Sequence, residues 1–353
     1  MSPRRNTGWP TGREPYGYGV PIVVRGKESL PHGEGEQDYQ FPRKVKVREM
    51  RTTETILEML RERGQQGKPL KRLYRLLRNR NLLLTAYGRI ASNTGALTPG
   101  SEPQDTIDGM SLKRINDLII ALETGEFRWK PVRRVYILKA NKKKRPLGVP
   151  GFTDKLVQEA IRLLLEAYYE PQFSDFSHGF RPHRSCHTAL KQLQYTCTGT
   201  KWWVEGDIQG CFDNISHEIL LNILAADIRD DRFLKLIKQM LKAGYLEDWR
   251  YHQTYSGTPQ GGICSPILAN VYLHQFDKFM EQLKRTYITT NPIRKVNPEY
   301  NRYGQLIHQA KKRGDKEAVK RLSKVKRQLP VRDPLDPYLR VNYCRYADDV
   351  RRS

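Results

Sequence analysis

The octet YCRYADDV at residues 343–350 decides the fold of this chain. An apolar and aromatic run ends there in two adjacent carboxylates, Asp348 and Asp349, where a tight turn between β-strands is expected. Neighbouring acids repel each other, so their position beside a strand indicates that a cation compensates their charge. The octet therefore predicts a β-turn that presents two acids.

Another acid, Asp207, ends the apolar run WWVEGDI at residues 202–208. Gly206 beside it leaves room for another backbone or a ligand. A single acid at a strand end is more often a helix cap or a turn residue, so its significance depends on the distant octet. Two divalent ions held by carboxylates of separate strands would polarise the attacking and leaving oxygens of a phosphoryl transfer.

A glycine-rich stretch, YSGTPQGGICSPILANVYL, occupies residues 255–273. Gly257 and Gly261 permit a ligand to approach the backbone closely, and Ser265 followed by Pro266 is a favourable helix start. A glycine-rich segment that leads into a helix N-terminus can hold a phosphate or a base pair. As a motif in isolation this signal is weak.

The remaining pattern alternates between strands and helices. Residues 133–150 alternate apolar positions, break at the polar residues 141–144 and then resume, which predicts a hairpin with a basic tip. A helix is predicted for residues 155–169, followed by the strand that ends at Asp207. This mixture predicts an α+β fold.

Positive charge is concentrated in two segments. The 62 Lys and Arg residues exceed the 38 Asp and Glu residues to give a net charge of +24, which predicts a polyanionic partner. Residues 43–89 carry a net charge of +10 and residues 282–333 a net charge of +11. In the second segment the sequence predicts two helices separated by Gly314 and Asp315, which form a basic insertion over about residues 282–338.

The first basic segment predicts helices whose apolar positions face the core. Lys71, Arg72, Arg75 and Arg78 then form a basic stripe on the opposite face, and we predict that this stripe binds RNA. The alternative for the stripe, and for the basic insertion, is a surface that is merely solvated.

Composition excludes several classes of protein. No run approaches the roughly 18 to 20 apolar residues of a membrane-spanning helix, so an integral membrane protein is not expected. The first 20 residues lack a continuous apolar core, which argues against a secretory signal. The five cysteines include no CxxC pair, and this disfavours a disulfide framework or a zinc knuckle.

Five ordered blocks resemble one known family, the group II intron-encoded reverse transcriptases, or maturases. The blocks are KANKKKRPLGVP (139–150), FSHGFRPHRS (176–185), VEGDIQGCFDNISH (204–217), GTPQGGICSPILAN (257–270) and CRYADD (344–349). The resemblance implies the fingers and palm of a right-hand polymerase, with an antiparallel palm sheet packed against helices. It also implies that RNA is copied into DNA with two Mg²⁺ ions, and that intron RNA is helped to fold and splice.

The resemblance assigns the acids to a catalytic centre. Asp207 and Asp348 match the family's metal-binding acids, and the backbone carbonyl of Ile208 is expected to join them. Asp349 matches the second acid of the pair, which is needed for activity rather than assigned as a ligand. These four positions form the predicted metal site and catalytic centre.

The resemblance also assigns a nucleotide site. Phe212 matches the aromatic steric gate that favours dNTPs over NTPs by colliding with a 2′-hydroxyl. Lys139 and Arg145 match residues that grip the triphosphate, and Gln260 matches the residue beside the nucleotide and the templating base. The alternatives are core packing for Phe212, ordinary hairpin-tip charges for the two basic residues, and a local turn bond for Gln260.

The family pattern continues beyond the point where this chain stops, four residues after Asp349. In the family an apolar strand pairs back after the turn, and a further palm block and a helical thumb follow. Arg351 and Arg352 do not resemble the start of that strand. We therefore expect the returning strand and the thumb to be missing, the acids to lie on a frayed terminus, and polymerisation by this chain to be weak or absent.

On this basis we predict three regions along the chain. Residues 1–42, rich in Gly, Pro and Tyr, form a flexible leader, and residues 43–120 form a basic helical region that binds RNA. Residues 121–353 form the fingers and palm domain, incomplete at its C-terminus and carrying the basic insertion.

The predicted function is RNA-directed DNA synthesis for a group II intron, together with intron RNA binding that aids splicing and mobility. The alternatives are a non-catalytic RNA-binding maturase fragment and a retron-type reverse transcriptase. The implied partners are intron RNA, an RNA template with a DNA primer, and dNTPs, with a homodimer also considered. We expect the protein in a bacterial cytoplasm or an organellar matrix or stroma, and not secreted.

Overall fold

The structure is a computed structural model that describes residues 52–138, 144–198, 200, 202–258, 261–288, 294–336 and 339–352. The leader predicted for residues 1–42 lies outside the described residues. The helices in the described part are α1 (Thr53–Gln65), α2 (Leu73–Leu76), α3 (Arg80–Ala91), α4 (Leu112–Thr124), α5 (Phe152–Tyr169), α6 (Cys186–Thr196), α7 (Cys211–Asn214), α8 (His217–Asp227), α9 (Asp231–Leu241), α10 (Ser265–Tyr287), α11 (Pro298–Lys312) and α12 (Lys316–Gln328). The strands are β1 (Leu70–Lys71), β2 (Val132–Leu138), β3 (Lys144–Val149), β4 (Val204–Asp207), β5 (Ile228–Arg229), β6 (Tyr245–Glu247), β7 (Arg250–His252), β8 (Tyr343–Tyr346) and β9 (Asp349–Arg352).

Helix α5 lies at the centre of the core and is buried along most of its length. A helix that is buried on nearly all sides must be covered by other elements. Helices α1 and α3 from the first basic segment pack against it, and so does α10. The apolar core is continuous from Ile56 to Val271, so it extends across the division predicted at residue 120. The helix predicted for residues 155–169 is confirmed, and it begins earlier, at Phe152.

Three separate sheets are formed by the described strands. Strands β4, β9 and β8 form an antiparallel sheet in that order, and β3, β2, β6 and β7 form a second sheet in which β2 and β6 run parallel. The hairpin predicted for residues 133–150 is confirmed as β2 and β3, although its tip at 139–143 lies outside the described residues. The mixed helix and sheet architecture predicted from the sequence is confirmed.

The expected absence of a returning strand is wrong. Strand β9 turns back after the octet and is paired on both sides, with β8 and with β4. The expectation failed because it relied on side-chain character, whereas a strand is held by backbone N–H and C=O groups that arginines also possess. Asp349 therefore lies in the central strand of the sheet and Asp348 in the turn before it, and not on a frayed end.

The basic insertion has the predicted form of two helices. Helices α11 and α12 pack against each other, and Gly314 between them has a left-handed φ of 74°. The side chain of Asp315 caps α12 by accepting a hydrogen bond from the backbone N–H of Ala318 at 2.9 Å. Both residues therefore act as the helix boundary that the sequence predicted.

The first basic segment departs from its prediction. Lys71 lies in β1, which pairs in parallel with β5, and Arg72 has a left-handed φ of 58° before the short helix α2. Arg75 lies within α2, whereas Arg78 follows it. The prediction of one stripe along a helix face is therefore wrong, because pairing with a distant strand interrupts the helix.

Candidate active site

The three predicted acids lie at one end of the sheet formed by β4, β9 and β8. Asp207 ends β4 and lies directly opposite Asp349 of β9 in the antiparallel register. Asp348 lies in the turn between β8 and β9, and its carbonyl accepts a hydrogen bond from the backbone N–H of Ile208 at 3.3 Å. Strands that are far apart in the sequence thus bring these acids together.

The side chains of Asp207 and Asp348 share a neighbour, the thiol of Cys211. Burial raises the pKa of this thiol, and the negative charges of Asp348 and Asp207 raise it further. Asp207 is exposed, Asp348 is half-buried, and Asp207 and Asp349 line a cavity of about 500 Å³ between α6 and the sheet. Among the hydrogen bonds between described residues, none is donated to the carboxylate of Asp207 or Asp348, so their oxygens are available to a cation.

The donors at this site suit a hard divalent cation. Mg²⁺ prefers oxygen ligands and is often held by one or two carboxylates. The carbonyl of Ile208 is a further oxygen here, and it already accepts a hydrogen bond from the N–H of Cys211 at 3.2 Å. A carbonyl has a second lone pair. The described residues contain no group of three or more His, Cys, Asp or Glu side chains arranged for a metal, so the predicted site depends on two carboxylates and this main-chain oxygen.

A buried ion pair lies beneath the turn. Arg345 of β8 and Asp277 of α10 are both fully buried, with 2.7 Å between Nη2 and Oδ2. Sequence reasoning missed both residues. The available signal was a charged residue at an apolar position of a buried element, since such residues are rare in cores unless they are paired.

Phe212 lies in α7, directly after the strand that carries Asp207. Its half-buried ring contacts the core and meets the ring of Phe180 edge to face, with 5.9 Å between centroids. The carbonyl of Phe212 accepts a hydrogen bond from the N–H of Thr258 at 2.8 Å, so the glycine-rich stretch lies against α7. Phe212 therefore packs against the core and remains partly exposed.

The glycines of that stretch contact the protein's own backbone. A Cβ on Gly257, whose φ is +85°, would lie 2.7 Å from the carbonyl oxygens of Phe212 and Asp213. A Cβ on Gly261, whose φ is +99°, would lie 2.7 Å from the carbonyl oxygen of Gly148 in β3. The close approach that the sequence suggested for a ligand is thus made by α7 and by the hairpin of β2 and β3.

The predicted nucleotide residues are only partly described. Arg145 is exposed on β3 opposite Ile137, and Gly261 lies against the same strand. Lys139 and Gln260 lie outside the described residues. The contact of Gly261 with β3 brings the described part of the glycine-rich stretch to the hairpin that carries Arg145.

Comparisons with known proteins identify the family. Residues 137–296 match the model of the reverse transcriptase (RNA-dependent DNA polymerase) family. The chain is 47% identical over 313 residues to the group II intron-encoded protein LtrA of Lactococcus lactis subsp. cremoris, covering 85% of this chain and 52% of LtrA. It is 45% identical over 282 residues to an uncharacterized 91 kDa protein in the cob intron of Schizosaccharomyces pombe, covering 79% of this chain and 35% of that protein. It is 33% identical over 294 residues to protein YkfC of Escherichia coli K12, covering 79% of this chain and 69% of YkfC.

This chain belongs to the group II intron-encoded reverse transcriptases. It spans about half the length of LtrA. Reverse transcriptases use divalent metal ions, which agrees with the oxygen donors at Asp207 and Asp348. No helix in the described part of this reverse transcriptase is long and apolar enough to span a membrane.

The four basic residues predicted to bind RNA differ in their surroundings. In this group II intron-encoded reverse transcriptase, Lys71, Arg72 and Arg75 are exposed. Arg78 is half-buried, and its guanidinium forms an ion pair with Glu123 of α4. An RNA phosphate would have to compete with that carboxylate for Arg78, whereas the other three residues face solvent.

Proposed function

We propose that this chain performs RNA-directed DNA synthesis for a group II intron and binds the intron RNA. The observation that carries the proposal is the register between β4 and β9, which sets Asp207 opposite Asp349 beside the turn that contains Asp348. In this proposal the sheet of β4, β9 and β8 with α10 belongs to the palm, and the hairpin of β2 and β3 belongs to the fingers. Residues 121–353 then form the catalytic domain, and residues 43–120 form a basic RNA-binding region.

The carboxylates of Asp207 and Asp348, with the carbonyl of Ile208, hold two Mg²⁺ ions in this proposal. When bound, the ions polarise the attacking oxygen of the primer and the leaving oxygen of the triphosphate. Asp349 lies across the ladder from Asp207 and adds negative charge beside the site, which favours a cation there. The proposal is supported by carboxylate oxygens that accept no hydrogen bond from the described residues.

The nucleotide contacts follow from the same site. The ring of Phe212, backed by Phe180, excludes a 2′-hydroxyl and so selects dNTPs. Arg145 and Lys139 grip the triphosphate through charge-assisted hydrogen bonds, and Gln260 lies beside the nucleotide and the templating base. The contact between Gly261 and β3 supports this grouping, because it joins the glycine-rich stretch to the fingers hairpin.

RNA binding is proposed for the exposed basic surfaces. Lys71, Arg72 and Arg75 are exposed, and α12 has no buried residue along its length. Lysines and arginines on such surfaces bind RNA phosphates with release of counterions. The RNA template, the DNA primer and the intron RNA are the proposed partners, in the bacterial cytoplasm or the organellar compartment where the intron is transcribed.

Single-nucleotide incorporation on a DNA primer annealed to an RNA template tests the proposal. Asp207→Asn keeps the shape of the side chain and removes its charge, and we expect it to lower the rate about a hundredfold or more, because metal stabilisation of the transition state is worth several kcal/mol. Asp213→Asn is the matched control, because this exposed acid lies in the neighbouring helix α7 and has no proposed role in metal binding.

Three outcomes are distinguishable. Incorporation that Asp207→Asn abolishes and Asp213→Asn preserves would support the proposal. Equal incorporation by Asp207→Asn and the unaltered chain would contradict it. RNA binding without incorporation by any of the three proteins would favour the non-catalytic maturase fragment, whose supporting observation is the exposed basic surface.

A further inference from the structure

Arg345 is the feature of the fold that the proposed chemistry leaves unexplained. Its side chain has no solvent exposure although it carries a full charge. Its Nε donates to Oδ1 of Asp277 at 2.8 Å, and its Nη2 donates to Oδ2 of the same carboxylate at 2.7 Å. The hydroxyl of Tyr343 also donates to Oδ1 of Asp277 at 2.8 Å. Burying an ion pair is costly in desolvation, and such pairs are weak evidence for stability alone.

The other side of the guanidinium contacts the catalytic turn. Nη1 of Arg345 donates to the backbone carbonyl of Ala347 at 2.8 Å, and Nη2 donates to Oγ of Ser177 at 2.7 Å. Ala347 immediately precedes Asp348 and has a left-handed φ of 57°. That conformation is unfavourable for a residue with a Cβ, and it persists only where the surroundings hold it. The hydrogen bond from Arg345 therefore stabilises Ala347 in its left-handed conformation.

The backbone of Gly179 also packs against Ala347. The backbone of Gly179 lies so close to the turn that a Cβ there would be 2.2 Å from the nitrogen of Ala347. The carbonyl of Gly179 accepts a hydrogen bond from Nδ2 of Asn270 at 2.9 Å, and Oδ1 of Asn270 accepts one from Nη1 of Arg345 at 3.3 Å. Ala347 therefore contacts both Arg345 and Gly179, and Asn270 links these two residues through hydrogen bonds.

We propose that Arg345 is a positioning residue that holds Ala347 in its left-handed conformation and thereby sets the carboxylate of Asp348 against that of Asp207. Asp277 anchors the guanidinium, and Asn270 links it to Gly179. The inference rests on the proposed polymerase function, because it assigns these residues a role at the same metal site. Catalytic geometry tolerates little displacement, so a small rotation of the turn would weaken metal binding and slow the reaction.

The test uses Arg345→Lys, because a lysine keeps the charge but has one nitrogen with three N–H donors, which cannot replace the five hydrogen bonds that the guanidinium makes. Arg162→Lys is the matched control. Arg162 lies in α5, and among the described residues its guanidinium is bonded to Glu159 and Glu166, so its replacement disturbs a partly buried group of ion pairs that does not contact the turn.

Two readouts are compared at a temperature where every variant is folded, as judged by circular dichroism. The first is Mn²⁺ binding to the chain with RNA template and dideoxy-terminated DNA primer, followed by electron paramagnetic resonance of free Mn²⁺. The second is nucleotide incorporation at saturating Mg²⁺. We expect Arg345→Lys to weaken Mn²⁺ binding about tenfold and to lower incorporation by up to about a hundredfold, the cost of misplacing a reacting group by about 1 Å. Arg162→Lys should change neither readout.

A rescue variant separates positioning from simple destabilisation. Glycine adopts left-handed φ values at little cost, so Ala347→Gly added to Arg345→Lys should restore part of the Mn²⁺ affinity and the incorporation rate. If Arg345→Lys does not fold, Asp277→Asn takes its place, because it keeps the side-chain volume and removes the anchoring charge. We expect Asp277→Asn to weaken Mn²⁺ binding and to lower nucleotide incorporation as well, each by a smaller factor than Arg345→Lys.

The failures are distinguishable. If the unaltered chain neither binds Mn²⁺ nor incorporates nucleotides, the proposed function fails. If it does both and Arg345→Lys behaves like Arg162→Lys, the positioning role fails while the function stands. A defect in Arg345→Lys that Ala347→Gly leaves unrelieved would also overturn the assigned role, because the left-handed residue would then not be the point of action.

Discussion

The turn between β8 and β9 and the basic insertion are stabilised in opposite ways. At the turn, Arg345 contacts Asp277 and Ser177, which lie 68 and 168 positions away in the chain. In the insertion, the bonds that begin α11 and α12 are local, and only Ala310 in these two helices is buried. The turn therefore depends on the packing of the whole domain, whereas the insertion depends on its own caps and on contact between its two helices.

This difference predicts where substitutions cost stability and where they change only charge. A buried polar network penalises the loss of any member, because its partners are left unsatisfied in a medium without water. Substitution of an exposed side chain on a helix surface changes the free energy of unfolding only slightly. Matched substitutions in the two regions should therefore give unequal effects.

The largest effect is expected for Asp277→Ala. Removing this carboxylate leaves the fully buried Arg345 without its counter-charge, which should lower the free energy of unfolding by about 3–5 kcal/mol. The matched substitution in the insertion is Asp315→Ala, which removes the cap of α12 and should cost about 1 kcal/mol. Urea unfolding of both variants measures the difference, and similar losses would mean that the turn is not held by its buried pair.

The next effect is expected for a methyl group at Gly179. Gly179→Ala forces a Cβ against the backbone of Ala347, and we expect a loss of about 1–3 kcal/mol in unfolding free energy. Gly304→Ala in α11 places a Cβ 3.1 Å from Nζ of Lys326, the mobile end of a long side chain. This substitution should instead stabilise the protein by about 0.5–1 kcal/mol through the lower entropy of the unfolded chain. Thermal unfolding of the two variants should move in opposite directions.

A pH effect on stability is expected near the turn. Burial lowers the pKa of His274 in α10 to about 4, and the positive charges of Lys278, Arg345 and Arg181 act in the same direction while Asp277 opposes them. The unfolded chain binds this proton near pH 6.5 and the folded chain only near pH 4, so the contribution of His274 to the free energy of unfolding should fall by about 2 kcal/mol between pH 8 and pH 5.

The measurement compares His274→Gln with the unaltered chain by urea unfolding at both pH values. Asp154 acts in the opposite sense, because burial raises the pKa of its carboxyl to about 7, and it does so in both proteins. Its contribution therefore cancels in the comparison. His308→Gln in the exposed face of α11 is the control, and an equal pH dependence in both variants would exclude His274 as the source.

The smallest effect on stability is expected in the insertion itself. Replacing Lys320, Arg321 and Lys324 together by Gln should change the free energy of unfolding by less than about 0.5 kcal/mol, because all three are exposed. Under the proposed function, RNA affinity should fall and its dependence on salt should weaken by about 0.7 in logarithmic slope for each lost phosphate contact. If filter-binding titrations give an unchanged slope of log affinity against log salt concentration, the insertion is merely solvated.

Local signals explain which elements could be predicted. Gly314 and Asp315 mark a helix boundary in any context, and Ser265 with Pro266 marks a helix start, so α10, α11 and α12 follow from neighbouring residues. The acids were assigned through the family blocks, because a single acid at a strand end is more often a helix cap or a turn residue. The interruption of the first basic segment by β1 could not be predicted, because its partner β5 lies more than 150 residues further along the chain.

The same limit applies to the candidate site. Asp207 and Asp348 could be named from the sequence, but the register that joins their strands passes through β9, whose residues carry no apolar strand pattern. The role of Gly257 was anticipated as a close approach, yet the approaching group is the backbone of α7. Contacts of this kind depend on which elements the fold brings together.

The sequence by itself determined the helix boundaries of the insertion, the hairpin of β2 and β3 and the two basic segments, because these depend on residue type and local spacing. It also named Asp207 and Asp348 as candidates for binding a cation. The tertiary structure decided that β9 pairs between β8 and β4, and that Arg345 reaches Asp277 and the carbonyl of Ala347. The physical reason is that backbone pairing and buried polar bonds are made between residues distant in the chain. Their partners are selected only when the core has assembled.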